Sequence, residues 1–544
     1  MKTRNARWRA GWVAVPLSIV LTGCFGDGSR SDNEETSSGE TPATPTSFAQ
    51  RCAALSGAAV NHGTVSEAVY TAATEGAVTA TSFPNHCLLR GKMNERTGID
   101  GKPYAIRFEV RLPEAWDQGL YYQGGSGVDG TLFTAYGAYP GGGNTRNAIL
   151  DGYATVTTDS GHDGSADTFA FGIDPQARQE YGYAQLPLVA NAAKALIQQF
   201  YGEAPARSYF VGTSNGGRQA MMASQRYPEL FDGIIAMAPG FRLAEAALEG
   251  SIFRAQIAQQ ASGDYLNPLT SQEKSILKSR IIAACDADDG VEDGMVGKPS
   301  VCHPDPLAWA CTASGQSDCL PAAKAQYVKT FFEGAKTASG RQIYSAWPYD
   351  PGMVDLVGSP NAFYAYIFGG EAAMVYTSPP TVTSDLTHYA LTANLDTEYA
   401  KIHAVTSVYT ESGREFTNAE SPNLDAFRAR GGKILYMNGT ADWAFSAQDL
   451  AAYYDSVISR YGQADTQAFA RYFIVPGMNH GSGGTNGTDS FDAFGALTAW
   501  VEQGTAPQTM VSTARADAGI AWPGRTRLLC AYPMEAAYTG GDVE

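Results

Sequence analysis

Short apolar segments alternate with amphipathic helical patterns along two stretches of the chain. The first stretch predicts helices at about 185–200 and 216–225, and strands at 104–112, 120–122, 154–158, 208–211 and 233–238. The second predicts helices at about 447–461 and 489–503, and strands at 433–437 and 470–475. This alternation is typical of a mostly parallel sheet covered by helices, so we predict an α/β fold.

The alternation stops after Pro239 and resumes near residue 426. The intervening segment, 241–425, is too long for a loop and contains four cysteines. We therefore predict a second domain inserted into the first. The α/β core would then consist of residues 51–240 and 426–544.

The N-terminal residues follow a different pattern. Basic residues precede an apolar run over 11–21, which is shorter than the roughly 20 residues of a transmembrane helix. Residues 1–23 are therefore predicted to be a secretory signal. Leu21-Thr22-Gly23-Cys24 resembles a bacterial lipobox, which would make Cys24 the lipidated first residue of an outer-membrane or cell-surface lipoprotein. A plain cleaved signal, giving a periplasmic or secreted protein, is the alternative.

The following residues, 24–50, contain mostly Ser, Thr, Glu, Asp, Gly and Pro. Such a composition buries too little apolar surface to fold, so this segment is predicted to be a flexible tether.

The overall charge limits the partners of the protein. The 544 residues include 38 Lys and Arg against 55 Asp and Glu, a net charge of −17. A field of this sign does not attract nucleic acid or anionic lipid, so membrane contact is expected through the lipid anchor only. Hydrophobic residues make up 44% of the chain, which excludes wholesale disorder. The oligomeric state stays open.

Export permits disulfides, and the chain has eight cysteines including Cys24. Six of the others allow fifteen connectivities. Three pairs that are close along the chain would each close a local loop, and these are the pairs we predict: Cys52 with Cys87, Cys285 with Cys302, and Cys311 with Cys319. Cys530 is left over, and its apolar neighbours predict a buried, unreactive thiol.

A candidate nucleophile follows the predicted strand 208–211. Gly212-Thr213-Ser214-Asn215-Gly216 has the G-x-S-x-G spacing, with a helix predicted directly after it. A sharp strand-to-helix turn holds a serine in a strained conformation and leaves no space for side chains at the flanking positions. Ser214 is thus the predicted nucleophile, and the Asn215 backbone N–H is a predicted oxyanion donor.

The acid and the base of such a site follow the serine in the order Ser, acid, His. His388 and His403 fall in the insert, whereas His480 follows the strand 470–475 by a short glycine-rich loop. Asp442 is the first carboxylate after the strand 433–437. Ser214, Asp442 and His480 therefore form the predicted catalytic triad.

Other residues near these strands receive supporting roles. Asp449 and Asp455 fall on the next helix and are predicted to be solvated. The segment Gln123-Gly124-Gly125-Ser126-Gly127 follows another strand and is the predicted second oxyanion loop. Either Gly125 or Ser126 would be its donor.

Several stretches resemble the tannase and feruloyl esterase family, which also includes hydrolases of mono(2-hydroxyethyl) terephthalate. They include 158–162, 214–219, 225–228, 431–433 and 477–480. The resemblance implies an α/β-hydrolase core with a lid domain and the same triad. The usual family pattern has a disulfide between the residue before the serine and the residue after the histidine. Here these residues are Thr213 and Gly481, which predicts a less constrained histidine loop.

An acidic segment follows Cys285. Its dense carboxylates favour calcium, but an EF-hand is excluded because Gly290 and Gly297 break the required spacing. The family resemblance implies a structural Ca²⁺ in this loop. Its ligands would be the side chains of Asp286, Asp289 and Asp293 and the carbonyls of Val291 and Met295.

The predicted function is a secreted serine carboxylesterase that hydrolyses small esters of hydroxycinnamic or gallic-type aromatic acids. A mono(2-hydroxyethyl) terephthalate hydrolase is the alternative. Related hydrolases of that kind hold the substrate carboxylate with a lid arginine, but no Lys or Arg occurs between Gln342 and Ala400. Arg414 and Lys401 remain as substitutes. A calcium-dependent surface binding lipoprotein is an alternative of another class.

Overall fold

A computed structural model describes residues 47–165, 168–359, 362–516 and 522–541, leaving aside the side chains of 362–364. The predicted signal, Cys24 and the tether up to residue 46 lie outside these ranges. Within them, no helix is both long and apolar enough to span a bilayer.

Ten strands form one mixed sheet in the order β1-β2-β3-β4-β6-β5-β7-β8-β9-β10. The strands from β1 to β4 pair antiparallel and β4 pairs antiparallel with β6, whereas β6, β5, β7, β8, β9 and β10 run parallel. Two further strands form a separate hairpin. The bounds are β1 (Ala59–Val60), β2 (Gly63–Thr71), β3 (His86–Thr97), β4 (Pro103–Pro113), β5 (Gly119–Gln123), β6 (Ala154–Thr158), β7 (Arg207–Thr213), β8 (Gly233–Met237), β9 (Lys433–Gly439), β10 (Ala470–Val475), β11 (Thr509–Thr513) and β12 (Thr526–Cys530).

Successive side chains of the central strands enter different cores. Phe210 of β7 packs on one face of the sheet, while Tyr209 and Val211 pack on the other. Because both faces are covered, the central strands contain almost continuous apolar residues, which is the pattern that predicted them. The predicted α/β fold is confirmed.

Helices of the core cover both faces. In the helix α3 (Gln185–Tyr201), buried residues recur at helical spacing from Leu186 to Phe200. Gly202, in the left-handed conformation, caps its C-terminus. The core helices are α1 (Phe48–Ala53), α2 (Pro175–Gln179), α3 (Gln185–Tyr201), α4 (Asn215–Arg226), α15 (Ala447–Tyr461), α16 (Gln463–Gln467) and α17 (Ala493–Gln503).

The segment between β8 and β9 contains, in its described residues, helices joined by long loops, and these residues contribute no strand to the sheet. Its buried side chains form a hydrophobic cluster that also includes Phe169, Phe171 and Tyr181 of the core. Its helices are α5 (Leu243–Leu248), α6 (Arg254–Ser262), α7 (Ser271–Cys285), α8 (Ala322–Glu333), α9 (Val354–Gly358), α10 (Ala362–Gly370), α11 (Leu386–Thr392), α12 (Leu395–Ile402), α13 (Gly413–Thr417) and α14 (Asp425–Ala429).

The first described helix begins before the predicted start of the core at residue 51. Ser47 caps α1 with a capping box, and the Phe48 ring packs edge-on against Tyr70 and Phe200. Residues 48–50 are therefore helical, and the predicted tether over 24–50 is too long at its C-terminal end.

The three predicted disulfides are present: Cys52–Cys87, Cys285–Cys302 and Cys311–Cys319. Cys530 is a free thiol, half-buried, and burial raises its pKa. The prediction of an unreactive thiol agrees with that direction, because the thiolate is the reactive form.

Asp449 corrects one prediction. It lies on α15 as expected, but it is 3% exposed and its carboxylate is 2.8 Å from the Arg242 guanidinium. Arg242 also contacts Glu420 at 3.4 Å. Burial raises the pKa of Asp449 to about 6, and Arg242 opposes that rise. Asp449 is therefore part of a buried charge network rather than a solvated face, whereas Asp455 is exposed.

Candidate active site

Ser214 lies at the turn between β7 and α4 with φ 65° and ψ −125°. This is a strained conformation for a residue with a side chain. The Ser214 N–H donates to the Met237 carbonyl of β8 at 3.0 Å, which fixes the turn against the neighbouring strand. Ser214 therefore stands above the carboxyl end of the sheet, at the N-terminus of a helix.

The flanking glycines allow this turn to close. A Cβ on Gly212 would lie 2.2 Å from the Gly216 carbonyl oxygen, and one on Gly216 would lie 2.6 Å from the Gly125 carbonyl oxygen. Side chains at these positions would push β7, α4 and the 123–127 loop apart. The close backbone contacts therefore explain why the G-x-S-x-G motif requires glycine at both flanking positions.

Asp442 and His480 come together behind the serine. The His480 Nδ1 is 2.9 Å from Asp442 Oδ2, and Asp442 Oδ1 accepts the N–H groups of Ala444 and Phe445 at 2.8 and 3.1 Å. Asp442 is fully buried, so its acceptor atoms fix a proton on His480 Nδ1. The imidazole lies between the rings of Trp443 and Phe445, and its Nε2 is then the basic atom.

Ser214 and His480 line one cavity of about 190 Å³. Its other lining residues come from the 123–127 loop and its neighbours, the insert, and the loop after β9: Ser126, Gly127, Asn215, Leu243, Ile367, Phe368, Glu371, Ala444 and Phe445. Most of this surface is apolar. Of the aromatic residues in the insert, Phe368 faces the cavity, while Tyr344 and Trp347 are buried in the core of the insert.

Two backbone N–H groups remain available beside the serine. Within the described residues, neither the Ser126 nor the Asn215 backbone N–H has a protein acceptor. The Gly125 N–H, in contrast, donates to the buried Gln219 Oε1 at 2.9 Å. Because the Gly125 N–H is already occupied, this contact favours Ser126 over Gly125 as the second predicted oxyanion donor, beside Asn215.

A buried carboxylate that the sequence did not single out joins these two segments. Asp129 accepts from the side-chain amides of Asn215 and Gln219 at 2.7 and 2.6 Å, and from the Ser160 hydroxyl. Gln219 in turn holds Gly125. Burial raises the pKa of Asp129 to about 6, and the hydrogen bonds from Ser160, Asn215 and Gln219 oppose that rise.

The Asp129 network is itself strained. Asp129 and Ser160 have φ values of 52° and 65°, in the left-handed region. The sequence shows Asp129 only as a carboxylate in a glycine-rich loop. Its hydrogen-bond partners are 31 to 90 residues away along the chain, so the sequence did not reveal the network.

Thr213 and Gly481, which stand where the family usually has a pair of bonded cysteines, are still in contact. A Cβ on Gly481 would lie 2.5 Å from the Thr213 methyl group. The histidine loop therefore packs directly on the residue before the nucleophile, by van der Waals contact instead of a covalent bond.

The acidic loop after α7 brings its three carboxylates near one another. The pKa of Asp289 is raised by burial and by the charges of Asp293 and Asp286. Asp286 accepts N–H groups from the far side of the loop, and Asp293 forms an ion pair with Arg527. The hard oxygen donors suit Ca²⁺. Within the described ranges, however, no three acidic, His or Cys side chains are grouped as metal ligands.

The mostly parallel sheet covered by helices, with Ser214 at a strand-to-helix turn, is the fold of an α/β-hydrolase. The family model of tannase and feruloyl esterase matches residues 92–544. The chain therefore belongs to the tannase and feruloyl esterase family, and it is a carboxylic ester hydrolase.

Individual relatives agree with this assignment. Mono(2-hydroxyethyl) terephthalate hydrolase from Piscinibacter sakaiensis is 36% identical over 89% of this chain and 87% of its own length. A probable feruloyl esterase from Arthroderma benhamiae is 29% identical over 82% of each chain. Feruloyl esterase B from Aspergillus oryzae is 23% identical and has the same fold, with a TM-score of 0.73 over 91% of this chain and 98% of its own.

Replacing Asp129 tests whether the buried carboxylate positions the oxyanion donors. In Asp129→Asn, one of the two carboxylate oxygens becomes an N–H₂ group, which cannot accept the hydrogen bond that Asn215 or Gln219 donates to that oxygen. We expect kcat for an activated ester to fall by about 10- to 100-fold, with KM changed by less than about threefold. The matched control is Asp163→Asn, whose side chain is 58% exposed. An unchanged kcat in Asp129→Asn would contradict this role.

Proposed function

We propose that the protein is a serine carboxylesterase for esters of hydroxycinnamic or gallic-type aromatic acids. The single observation that carries the proposal is the cavity that Ser214 and His480 share with two available backbone N–H groups, with Asp442 bonded to the far side of His480. Family membership supports the ester class.

In the proposed reaction, the Ser214 hydroxyl attacks the ester carbonyl while His480 Nε2 takes its proton. The N–H groups of Asn215 and Ser126 stabilise the oxyanion, and Asp442 stabilises the charged imidazole. His480 then protonates the leaving alcohol. Water, deprotonated by His480, attacks the acyl-enzyme and releases the acid.

Replacing Ser214 tests the nucleophile. We expect Ser214→Ala to lower kcat for aromatic esters by about ten-thousand-fold or more, because the attacking atom is lost while the fold is kept. A fluorophosphonate probe should label the wild-type protein at Ser214 and leave the variant unlabelled. Turnover by a correctly folded Ser214→Ala, checked by circular dichroism, would refute the assignment.

The cavity supports a neutral acyl group over an anionic one. No Lys or Arg lines its described surface, and it contains the carboxyl group of Glu371. Lys401 pairs with Glu398 at 2.8 Å, and Arg414 pairs with Glu245 and Glu420. Neither predicted substitute for a carboxylate clamp lines the cavity. The terephthalate monoester hydrolase stays the second candidate because of the 36% identical relative.

Parallel assays separate the two candidates. We expect kcat/KM for methyl ferulate or methyl gallate to exceed that for mono(2-hydroxyethyl) terephthalate by at least about tenfold, since a buried carboxylate without a cation is costly. The neutral diester bis(2-hydroxyethyl) terephthalate is the control for ring shape. Preference for the monoester anion over both would favour the second candidate.

We also propose that the acidic loop binds a structural Ca²⁺. The support is the pKa of Asp289, which is raised first by burial and then by the nearby charges of Asp293 and Asp286. Binding would require Asp293 to exchange Arg527 for the ion. The carbonyls of Val291 and Met295 would complete the donor set.

Calcium addition and chelation test this loop. We expect excess Ca²⁺ to raise the melting temperature and a chelator to lower it, because an ion that binds only the folded state stabilises it by mass action. Asp289→Asn should remove most of the response. Asp288→Asn is the matched control, since Asp288 is exposed on the same loop. Equal responses in both variants would contradict the site.

We also propose that the esterase is exported and carries a lipid on Cys24. The three disulfides support an oxidising compartment. The lipobox is the support for the anchor.

A further inference from the structure

Glu371 is a residue with a buried carboxyl group that lines the active-site cavity. It begins the short helical segment Glu371–Tyr376 that follows α10 in the insert, and it is 2% exposed. The same cavity is lined by Ser214 and His480. Apart from these residues and the 126–127 and 215 positions, the lining is hydrophobic. Glu371 is thus the polar group that the insert contributes to the lining.

This carboxyl group has no cationic partner of its own. Its buried Oε2 atom has no hydrogen-bond partner among the described residues. The charged group with an attractive effect is Arg218, whose guanidinium donates to the Asn215 side chain and to the carbonyls of Tyr181 and Gly182. A buried carboxyl without a dedicated counter-charge favours its neutral form.

Burial and three neighbouring residues shift the pKa of Glu371, and His480 lines the same cavity. Burial raises the pKa of Glu371 to about 8, a hydrogen bond from Tyr376 and the charge of Arg218 oppose the rise, and the charge of Asp129 adds to it. Tyr181 lies behind Tyr376, with 3.1 Å between the two hydroxyl oxygens. At neutral pH the carboxyl is therefore mostly protonated. A neutral carboxyl has one O–H donor and one C=O acceptor.

We propose that Glu371 determines acyl specificity by hydrogen bonding to a ring hydroxyl of a phenolic acid. A phenol both donates and accepts, so it matches a neutral carboxyl group in an otherwise hydrophobic cavity. An acyl ring without the hydroxyl leaves the buried carboxyl unpaired, which disfavours that ester. This inference rests on the proposed esterase function and adds the residue that selects the substrate.

The test is a selectivity ratio, kcat/KM for methyl ferulate divided by that for methyl cinnamate, which lacks ring oxygens. We expect Glu371→Leu to lower this ratio by about tenfold, because one hydrogen bond to the ring is lost. Glu371→Gln keeps a donor and an acceptor at the same place and should restore the ratio to within about threefold of wild type. Both esters are assayed on one preparation, so any loss of folded enzyme cancels.

The pH dependence of the ratio gives a second readout. Above about pH 8 the carboxyl ionises and can only accept from the phenol, so the wild-type ratio should change with pH. Glu371→Gln has no such ionisation. Ionisation of the ferulate phenol affects both enzymes equally, and the difference between the two profiles reports on residue 371.

The outcomes separate this inference from the proposed function. An unchanged ratio in Glu371→Leu, or a ratio that differs from wild type equally in the Gln and Leu variants, overturns the specificity role while the esterase assignment stands. A wild-type enzyme that turns over p-nitrophenyl acetate but neither aromatic ester overturns the proposed function and this role together. A reduced ratio with rescue by Gln supports both.

Discussion

Backbone contact between the nucleophile turn and the 123–127 loop is the constraint on which the site depends. Gly216 and Gly124 meet so closely that a Cβ on Gly124 would lie 2.9 Å from the Gly216 Cα. This approach brings Ser126 and Asn215 to the same cavity as Ser214. The backbone strain at Ser214 is offset by the neighbouring strand β8, because the Met237 carbonyl of that strand accepts the Ser214 N–H.

The same region joins the core to the insert. Arg218, one turn into the helix that Ser214 begins, donates to the carbonyls of Gly182 in the core and Thr417 in the insert. Farther out, Arg242 connects Asp449 of the core with Glu420 of the insert. The insert is thus attached through a buried hydrogen bond of Arg218 close to the reactive serine, and through the ion pairs of Arg242 farther away. A shift of the insert would reach the site through these side chains.

Much of this arrangement could be predicted because its signals are local. The central strands are continuous apolar runs, and Ser214, Asp442 and His480 each follow such a strand directly. The antiparallel edge was missed because β2 has exposed residues on both faces, so neither an alternating nor a continuous apolar pattern is visible. Helices of five to nine residues in the insert also lack enough turns to show a period.

Contacts between distant residues could not be predicted in this way. The choice of Ser126 over Gly125 depends on Gln219, and the burial of Asp449 depends on Arg242, each far away along the chain. The position of Glu371 in the cavity lining likewise depends on how the helices of the insert pack. None of these contacts leaves a spacing pattern in the sequence.

The contact between Thr213 and Gly481 has a consequence for where the enzyme can work. A methyl group against a glycine has no bond that a thiol reagent can break, so the geometry of the reactive serine and histidine does not depend on the redox state of the surroundings. The three disulfides lie elsewhere, two of them within the insert. Reducing conditions would therefore weaken the scaffold before they disturbed the chemistry.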